Sequence, residues 1–199
     1  MLDLGAVGKG YASDEVAEIL RENGITSALL DLGGNIVMIG SRPDGSDWRL
    51  GLKDPFADGN IGVLEVFDCA VVTSGNYENY FTGEDGRVYG HIIDPRTGHP
   101  ADNGLASVTI ISQDGKLCDA LSTALFVMGK DQAIDYWKDN SGFEMILITK
   151  DKQVLLTENL EARFALDEYV SDYTIKKLNK NLVIVSASEI NLLKEQLKK

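Results

Sequence analysis

The sequence contains few cysteine, histidine and proline residues, with two, two and four of them among 199. Cys69 and Cys118 stand 49 positions apart and form no CxxC pair, which excludes a disulfide-dense scaffold and a cysteine-based zinc site. We expect two buried thiols, with a single bridge as the alternative. The chain also lacks a run of about 18 apolar residues and the residue order of a signal peptide, so neither a membrane-spanning helix nor a targeting signal is expected.

Basic side chains are outnumbered, with 19 Lys and Arg against 31 Asp and Glu, and the formal net charge is −12. Because phosphate neutralisation needs a basic face, nucleic acid is a poor partner for the whole molecule. The acidic excess is uneven, since residues 1–170 carry a net −15 and residues 171–199 a net +3. The length and the 44% hydrophobic fraction fit one ordinary domain, or two small ones, with a real core.

Short, hairpin-linked strand patterns outnumber helical ones. The predicted strands are residues 27–32, 35–39, 48–53, 61–67, 69–73, 87–93, 105–112, 144–149, 153–156 and 181–186. A glycine-rich turn is predicted to lead into a first helix that buries Val16, Ile19 and Leu20 and ends at Gly24. Further helices are predicted over 117–129, 131–137 and 188–198. The pattern favours a mixed α+β domain, mostly antiparallel, over a doubly wound parallel sheet.

The first segment that could carry chemistry is DLGAVGKGY, residues 3–11. Small residues ahead of a helix let backbone N–H groups approach an anion, the helix dipole favours negative charge there, and Lys9 adds a positive charge. The segment matches neither the Walker pattern nor GxGxxG, so a purely structural turn is the alternative.

The second segment is HIIDPRTG, residues 91–98, where a strand is predicted to end at a proline turn. His91 is suited to proton transfer near neutral pH, and Asp94 and Arg96 would place a carboxylate and a cation close by. The alternative is an Asp-Pro turn in which Asp94 accepts backbone N–H bonds and Arg96 is a surface cation.

The third group is Asp119, Ser122 and Thr123, which share one face of a predicted helix because they stand at positions i, i+3 and i+4. Oxygen ligands of this kind suit a hard cation such as Mg²⁺. Simple capping of the helix N-terminus by Asp119 is the alternative. In the loop around Ser74, a hydroxyl and a backbone N–H could hold a phosphate or a base edge, whereas a serine hydrolase would need the GxSxG elbow that is missing.

These segments, together with DLGGN at residues 31–35, occur in an order and spacing that resemble the ApbE family. Its members are the FAD:protein FMN transferases, once described as thiamine biosynthesis lipoproteins. The resemblance runs from residue 2 to about residue 157, and HIIDPRTG is its most specific motif. It implies an ApbE-like, T-fold-like architecture within the α+β class.

The resemblance also implies an activity. Family members cleave the pyrophosphate of FAD with Mg²⁺ and attach FMN to a Thr or Ser of a target protein, and some hydrolyse FAD to FMN and AMP. The targets include membrane subunits of electron-transfer complexes. A non-catalytic flavin-binding module is the alternative from another functional class.

Roles for individual residues follow from the same resemblance. It places Asp3 and Lys9 at FAD and Ile93 beside the flavin nucleotide, and Ser74 is added to these as a cofactor-binding residue. It makes His91 the base that deprotonates the acceptor hydroxyl. The expected Mg²⁺ ligands are the Ala6 carbonyl, Asp119, Thr123 and, in this chain, Ser122 where some relatives have an aspartate.

Family members carry roughly as many residues again before the segment that begins at Asp3, including a signal and a lipid-anchored cysteine. The family is therefore extracytoplasmic and membrane-anchored, whereas no signal or anchor is recognisable in this chain. We expect a truncated chain, or a second polypeptide that supplies the N-terminal half. Residues 1–157 are predicted to form the catalytic portion that binds FAD and Mg²⁺, and residues 158–199 an extension of unknown role.

Overall fold

The computed structural model of the protein describes residues 4–77, 80–86 and 88–180. Asp3, the strand predicted over 181–186 and the helix predicted over 188–198 lie outside the described residues. The described part contains three α-helices, and the first is much the longest. They are α1 (Gly5–Glu22), α2 (Gly115–Met128) and α3 (Lys130–Asp139).

Helix α1 differs from its prediction in two ways. The predicted glycine turn is wrong, because Gly8 and Gly10 lie inside the helix. The predicted buried face is wrong for Val16 and Ile19, which are 38% and 56% exposed, whereas Leu20 packs against the core as predicted. The buried residues of α1 are Gly10, Ser13 and Ala17. Small side chains face inward because α1 packs closely on another helix, so apolar periodicity alone indicated the wrong face.

Fourteen strands are described, and most of them match the predicted ones. They are β1 (Ala28–Asp31), β2 (Asn35–Ile39), β3 (Trp48–Lys53), β4 (Asn60–Val66), β5 (Ala70–Gly75), β6 (Tyr80–Thr82), β7 (Val88–Gly90), β8 (Ile93–Asp94), β9 (His99–Pro100), β10 (Leu105–Ser112), β11 (Glu144–Thr149), β12 (Gln153–Thr157), β13 (Phe164–Leu166) and β14 (Thr174–Leu178). The single strand predicted over 87–93 is wrong in its described part, because β7 pairs with β6 whereas β8 pairs with β9.

The main sheet has seven strands in the order β1-β2-β5-β10-β11-β12-β14. Each pair of neighbours is antiparallel except β12 and β14, which are parallel. A smaller sheet has the order β13-β4-β3. Three helices and mostly antiparallel sheets confirm the α+β prediction.

The main sheet is covered on both faces. Along β11, Met145 and Leu147 belong to the core cluster shared with the three helices, whereas Ile146 and Ile148 belong to the cluster shared with the smaller sheet. This alternation follows from the period of two in a strand. Both cysteines are buried and unbridged, as predicted. Within the described residues no helix is long and apolar enough to cross a membrane.

The strands after residue 157 join the sheets of the preceding part. Strand β13 pairs with β4, and β14 pairs with β12 at the edge of the main sheet. The division at residue 157 stays a prediction.

The crossing of α1 and α2 positions the site described below. A Cβ atom on Gly10 would lie 2.4 Å from the carbonyl oxygen of Gly115 and 2.7 Å from Cβ of Asp119, so only glycine lets the helices approach this closely. The Asp14 carboxylate of α1 accepts hydrogen bonds from the backbone N–H groups of Gly115 (2.9 Å) and Lys116 (3.0 Å) at the start of α2. One helix thus caps the other across the crossing.

Candidate active site

A cleft of about 470 Å³ opens where the first turns of α1, the body of α2 and several strand ends meet. Its lining is rich in glycine and polar residues, which suits a polar ligand. The lining residues are Gly5, Ala6, Lys9, Gly33, Gly34, Val72, Thr73, Ser74, Gly75, His91, Ile92, Ile93, Asp119 and Thr123. The cleft therefore brings together residues from five segments that are far apart in the sequence.

Asp119 lines the cleft from α2 and is only 3% exposed. Its Oδ2 atom accepts a hydrogen bond of 2.8 Å from the backbone N–H of Gly10. In a regular α-helix the N–H of Gly10 donates to the carbonyl of Ala6. The Asp119 carboxylate therefore competes with the Ala6 carbonyl, which lies beside the cleft, for this N–H. The capping role considered for Asp119 is wrong, because α2 begins earlier and Asp114 caps it by accepting from the N–H of Leu117 (2.9 Å).

Three hydroxyl groups meet on the same side of the cleft. The Oγ atom of Ser74, near the end of β5, lies 2.8 Å from Oγ of Ser122 and 3.2 Å from Oγ1 of Thr123. Ser122 is fully buried, and its hydroxyl donates to the carbonyl of Asp119 (3.0 Å). Thr123 and Ser74 line the cleft, and Ser122 lies behind them.

His91 lies between β7 and β8, Ile93 is the first residue of β8, and both line the cleft. Ile92 between them is 5% exposed, and its carbonyl accepts a hydrogen bond of 2.8 Å from the N–H of Ala101. The buried Ile92 thus anchors in the core the segment from which His91 and Ile93 reach the cleft. Both neighbours are exposed.

Backbone groups form two further parts of the lining. Gly33 and Gly34 adopt φ angles of +63° and +87°, which favour glycine, in the turn between β1 and β2. The N–H of Gly34 donates to the Asp31 carboxylate (2.9 Å). The first turn of α1 also lines the cleft, through Gly5 and Ala6. Positive helix-end charge and Lys9 therefore face the same space, which suits an anion such as a phosphate.

The predicted Mg²⁺ ligands were tested against this arrangement. Ala6, Asp119 and Thr123 line one cleft, and Asp119 is a buried carboxylate with one oxygen engaged by a backbone N–H. Among the described residues no cluster of three or more His, Cys, Asp or Glu side chains is present. Mg²⁺ needs no such cluster, because it commonly combines one or two carboxylates with waters and substrate phosphates. The donor set therefore fits Mg²⁺.

The turn after His91 has the structural role that was considered above as the alternative to a chemical one. Asp94 accepts hydrogen bonds from the backbone N–H and the Nε of Arg96, both at 2.9 Å. These bonds, the side-chain bond above all, lower the pKa of the Asp94 carboxyl. The guanidinium also reaches the carbonyl of Val127 at the end of α2 (3.2 Å). Asp94 and Arg96 brace the turn against α2 and do not line the cleft.

Sequence reasoning missed the residues that support the site from behind. Gly10 holds the Asp119 carboxylate, and Asp14 caps α2 from across the helix crossing. Neither role shows in local periodicity, because both depend on a partner more than 100 residues away. The Gly33-Gly34 turn was visible as a hairpin signal, but its place in the cleft was not.

Comparisons with known proteins show what this chain is similar to. A model described as the ApbE family matches residues 1–147. A Klebsiella pneumoniae (strain 342) protein named FAD:protein FMN transferase is 41% identical over 166 residues, covering 82% of this chain and 50% of the relative. A Treponema pallidum protein of the same name is 38% identical over 183 residues, covering 83% and 50%. The crystal structure of an ApbE protein from Thermotoga maritima has a TM-score of 0.74 at 37% identity and covers 81% of this chain and 53% of that one. The chain thus spans about half the length of the curated relatives it matches.

Proposed function

This chain belongs to the ApbE family, and on that premise we propose that it transfers FMN from FAD to a Ser or Thr hydroxyl of another protein with the help of Mg²⁺. The observation that carries the proposal is one cleft lined by the buried carboxylate of Asp119, the hydroxyl-bearing Thr123 and the imidazole of His91. A cation site and a base in the same cleft are what cleavage of a diphosphate by a hydroxyl requires.

Asp119 and Thr123 would hold Mg²⁺ together with the carbonyl of Ala6. Bound there, Mg²⁺ would neutralise the diphosphate and fix the in-line geometry of its displacement. Lys9 and the first turn of α1 would bind the phosphate oxygens, because both present positive charge to the cleft. Ile93, which is 48% exposed in the cleft lining, would contact the flavin nucleotide.

His91 would accept the proton of the acceptor hydroxyl. The oxygen of that hydroxyl then forms a bond to the FMN phosphorus, the bond from this phosphorus to the bridging oxygen breaks, and AMP leaves with the bridging oxygen. The exposure of His91 matters here, because a protein side chain must reach it.

The same exposure favours a second candidate function. Water can reach His91 as readily as a protein hydroxyl can, and activation of water would hydrolyse FAD to FMN and AMP. Transfer and hydrolysis release the same AMP and differ only in where FMN ends.

The test is to incubate the purified chain with FAD and Mg²⁺ and to measure AMP by chromatography, with and without EDTA. We expect AMP from the wild type, none with EDTA and none from Asp119→Ala. Asp131→Ala is the matched control, because this carboxylate is 89% exposed on α3 and outside the cleft. FMN covalently attached to an added acceptor protein would identify transfer, whereas unattached FMN would identify hydrolysis. If the folded wild type releases no AMP, the catalytic proposal is wrong and a flavin-binding module remains.

A further inference from the structure

The three hydroxyl groups beside the cleft form a chain with a defined direction. Ser122 Oγ lies 3.0 Å from the carbonyl oxygen of Asp119, which has no proton and can only accept. The proton of Ser122 is therefore directed at Asp119. Ser74 Oγ lies 2.8 Å from Ser122 Oγ and 3.2 Å from Thr123 Oγ1, and in each of these contacts either oxygen could be the donor.

Counting protons removes this ambiguity. Each hydroxyl has a single proton and two lone pairs. Because the proton of Ser122 is already engaged, the bond between Ser74 and Ser122 uses the proton of Ser74. The bond between Ser74 and Thr123 must then use the proton of Thr123. The chain runs from Thr123 through Ser74 and Ser122 to the carbonyl of Asp119.

This direction sets what Thr123 presents to the cleft. Its proton points toward Ser74, so both of its lone pairs are open to an electrophile in the cleft. A divalent cation binds a lone pair and repels a hydroxyl proton directed at it. We propose that Ser74, anchored by the fully buried Ser122, is a positioning residue that orients the Thr123 hydroxyl for a divalent cation. The inference rests on the cation site of the proposed function.

The same network gives Ser74 a different role from the phosphate contact expected from the sequence. Its only hydroxyl proton is directed at Ser122, so the hydroxyl has no proton to donate to a phosphate. Ser122 likewise contributes through Ser74 and not by direct contact, because its side chain is fully buried behind the cleft lining.

The experiment is a titration of the purified chain with Mn²⁺, in which the unbound ion is measured by electron paramagnetic resonance without FAD. Ser74→Ala is expected to raise the Kd for Mn²⁺ about 10- to 100-fold, as is usual when a partner of a metal ligand is removed. Ser74→Thr keeps the hydroxyl and should bind close to wild type. Ser112→Ala is the matched control, since it removes a serine hydroxyl that donates to the carbonyl of Gly142 (2.8 Å) outside the cleft, and it should leave the Kd unchanged.

Ser122→Ala tests the hydrogen-bonded row of hydroxyls from its other end, and it replaces Ser74→Ala as the test variant if Ser74→Ala does not fold. It should weaken Mn²⁺ binding too, and the double variant should be no weaker than Ser74→Ala, because one break already releases Thr123. Wild-type Mn²⁺ affinity in folded Ser74→Ala or Ser122→Ala would overturn the inference and leave the cation site in place. Strictly additive losses of Mn²⁺ affinity in the double variant would overturn it too. A wild type that binds no Mn²⁺ would overturn the cation site and this inference with it.

Discussion

Replacement of Gly10 by alanine is expected to destabilise the protein and to disturb the cleft at the same time. The new Cβ atom would lie 2.4 Å from the carbonyl oxygen of Gly115, about 1 Å closer than an ordinary contact, and 2.7 Å from Cβ of Asp119. Both neighbours belong to α2, one as a backbone oxygen and the other as a Cβ atom, so no flexible side-chain end can move aside. The helices must separate, and the hydrogen bond from Gly10 to Asp119 must lengthen or break.

Three contributions set the magnitude. Overpacking at a close contact costs about 1–3 kcal/mol. Loss of the bond to the buried Asp119 carboxylate costs about 1.5–3 kcal/mol. The higher helix propensity of alanine returns about 1 kcal/mol. The free energy of unfolding should therefore fall by about 1.5–5 kcal/mol in Gly10→Ala.

The assay is urea unfolding followed by circular dichroism, with Gly8→Ala as the matched control. Gly8 lies in the same helix, and a Cβ atom there would meet nothing within 4 Å. Gly8→Ala should therefore stabilise the protein by about 0.5–1 kcal/mol. Equal stability of Gly10→Ala and Gly8→Ala would contradict a close contact between α1 and α2 at Gly10.

Three other predictions follow from the described contacts. Burial raises the pKa of the Cys69 thiol to about 12 and also raises the pKa of the Cys118 thiol. Both thiols should therefore resist a disulfide reagent at pH 8 and react only when the protein unfolds. Fast labelling of the native protein would contradict this prediction. Asp14→Ala should lower the free energy of unfolding by about 1–2 kcal/mol, measured in urea, because α2 loses its cap from α1; an unchanged midpoint would count against that role. The pKa of Asp68 is lowered, chiefly by a hydrogen bond from the N–H of Gly40. The contribution of this carboxylate to the free energy of unfolding is therefore complete above the unfolded pKa near 3.8 and is lost as the pH falls through the folded pKa. The urea midpoint of Asp68→Asn should therefore depend less on pH below about 4 than that of the wild type, and identical profiles would exclude the effect.

The strand content could be predicted because alternation and turn residues are local signals. Strand β10 was predicted over the range that the structure gives, and β3 likewise. The missed strands β6, β9 and β13 have only two or three residues, and the longer β14 is mostly exposed, so none of them shows the sustained alternation on which such predictions rest. The place of β13 in addition depends on its pairing with β4, about 100 residues earlier in the chain.

The site was predictable only in part, for a related reason. Motifs indicated that His91, Lys9 and Thr123 bear chemistry, and the structure brings all three into one cleft. Periodicity could not indicate that α1 turns Gly10 and Ser13 inward, because that face is set by its contact with α2. A pattern of apolar residues reports hydrophobic burial, whereas a close helix crossing selects for small size.

The hydrogen bond from Gly10 to Asp119 has an evolutionary consequence. It makes one carboxylate serve both the packing of two helices and the proposed chemistry of the cleft. A substitution of Asp119 is therefore selected against for two reasons. It alters ligand binding, and it leaves a buried N–H without its partner, which lowers the folded population in the cell. A lineage that abandoned the reaction would still have a reason to keep the aspartate.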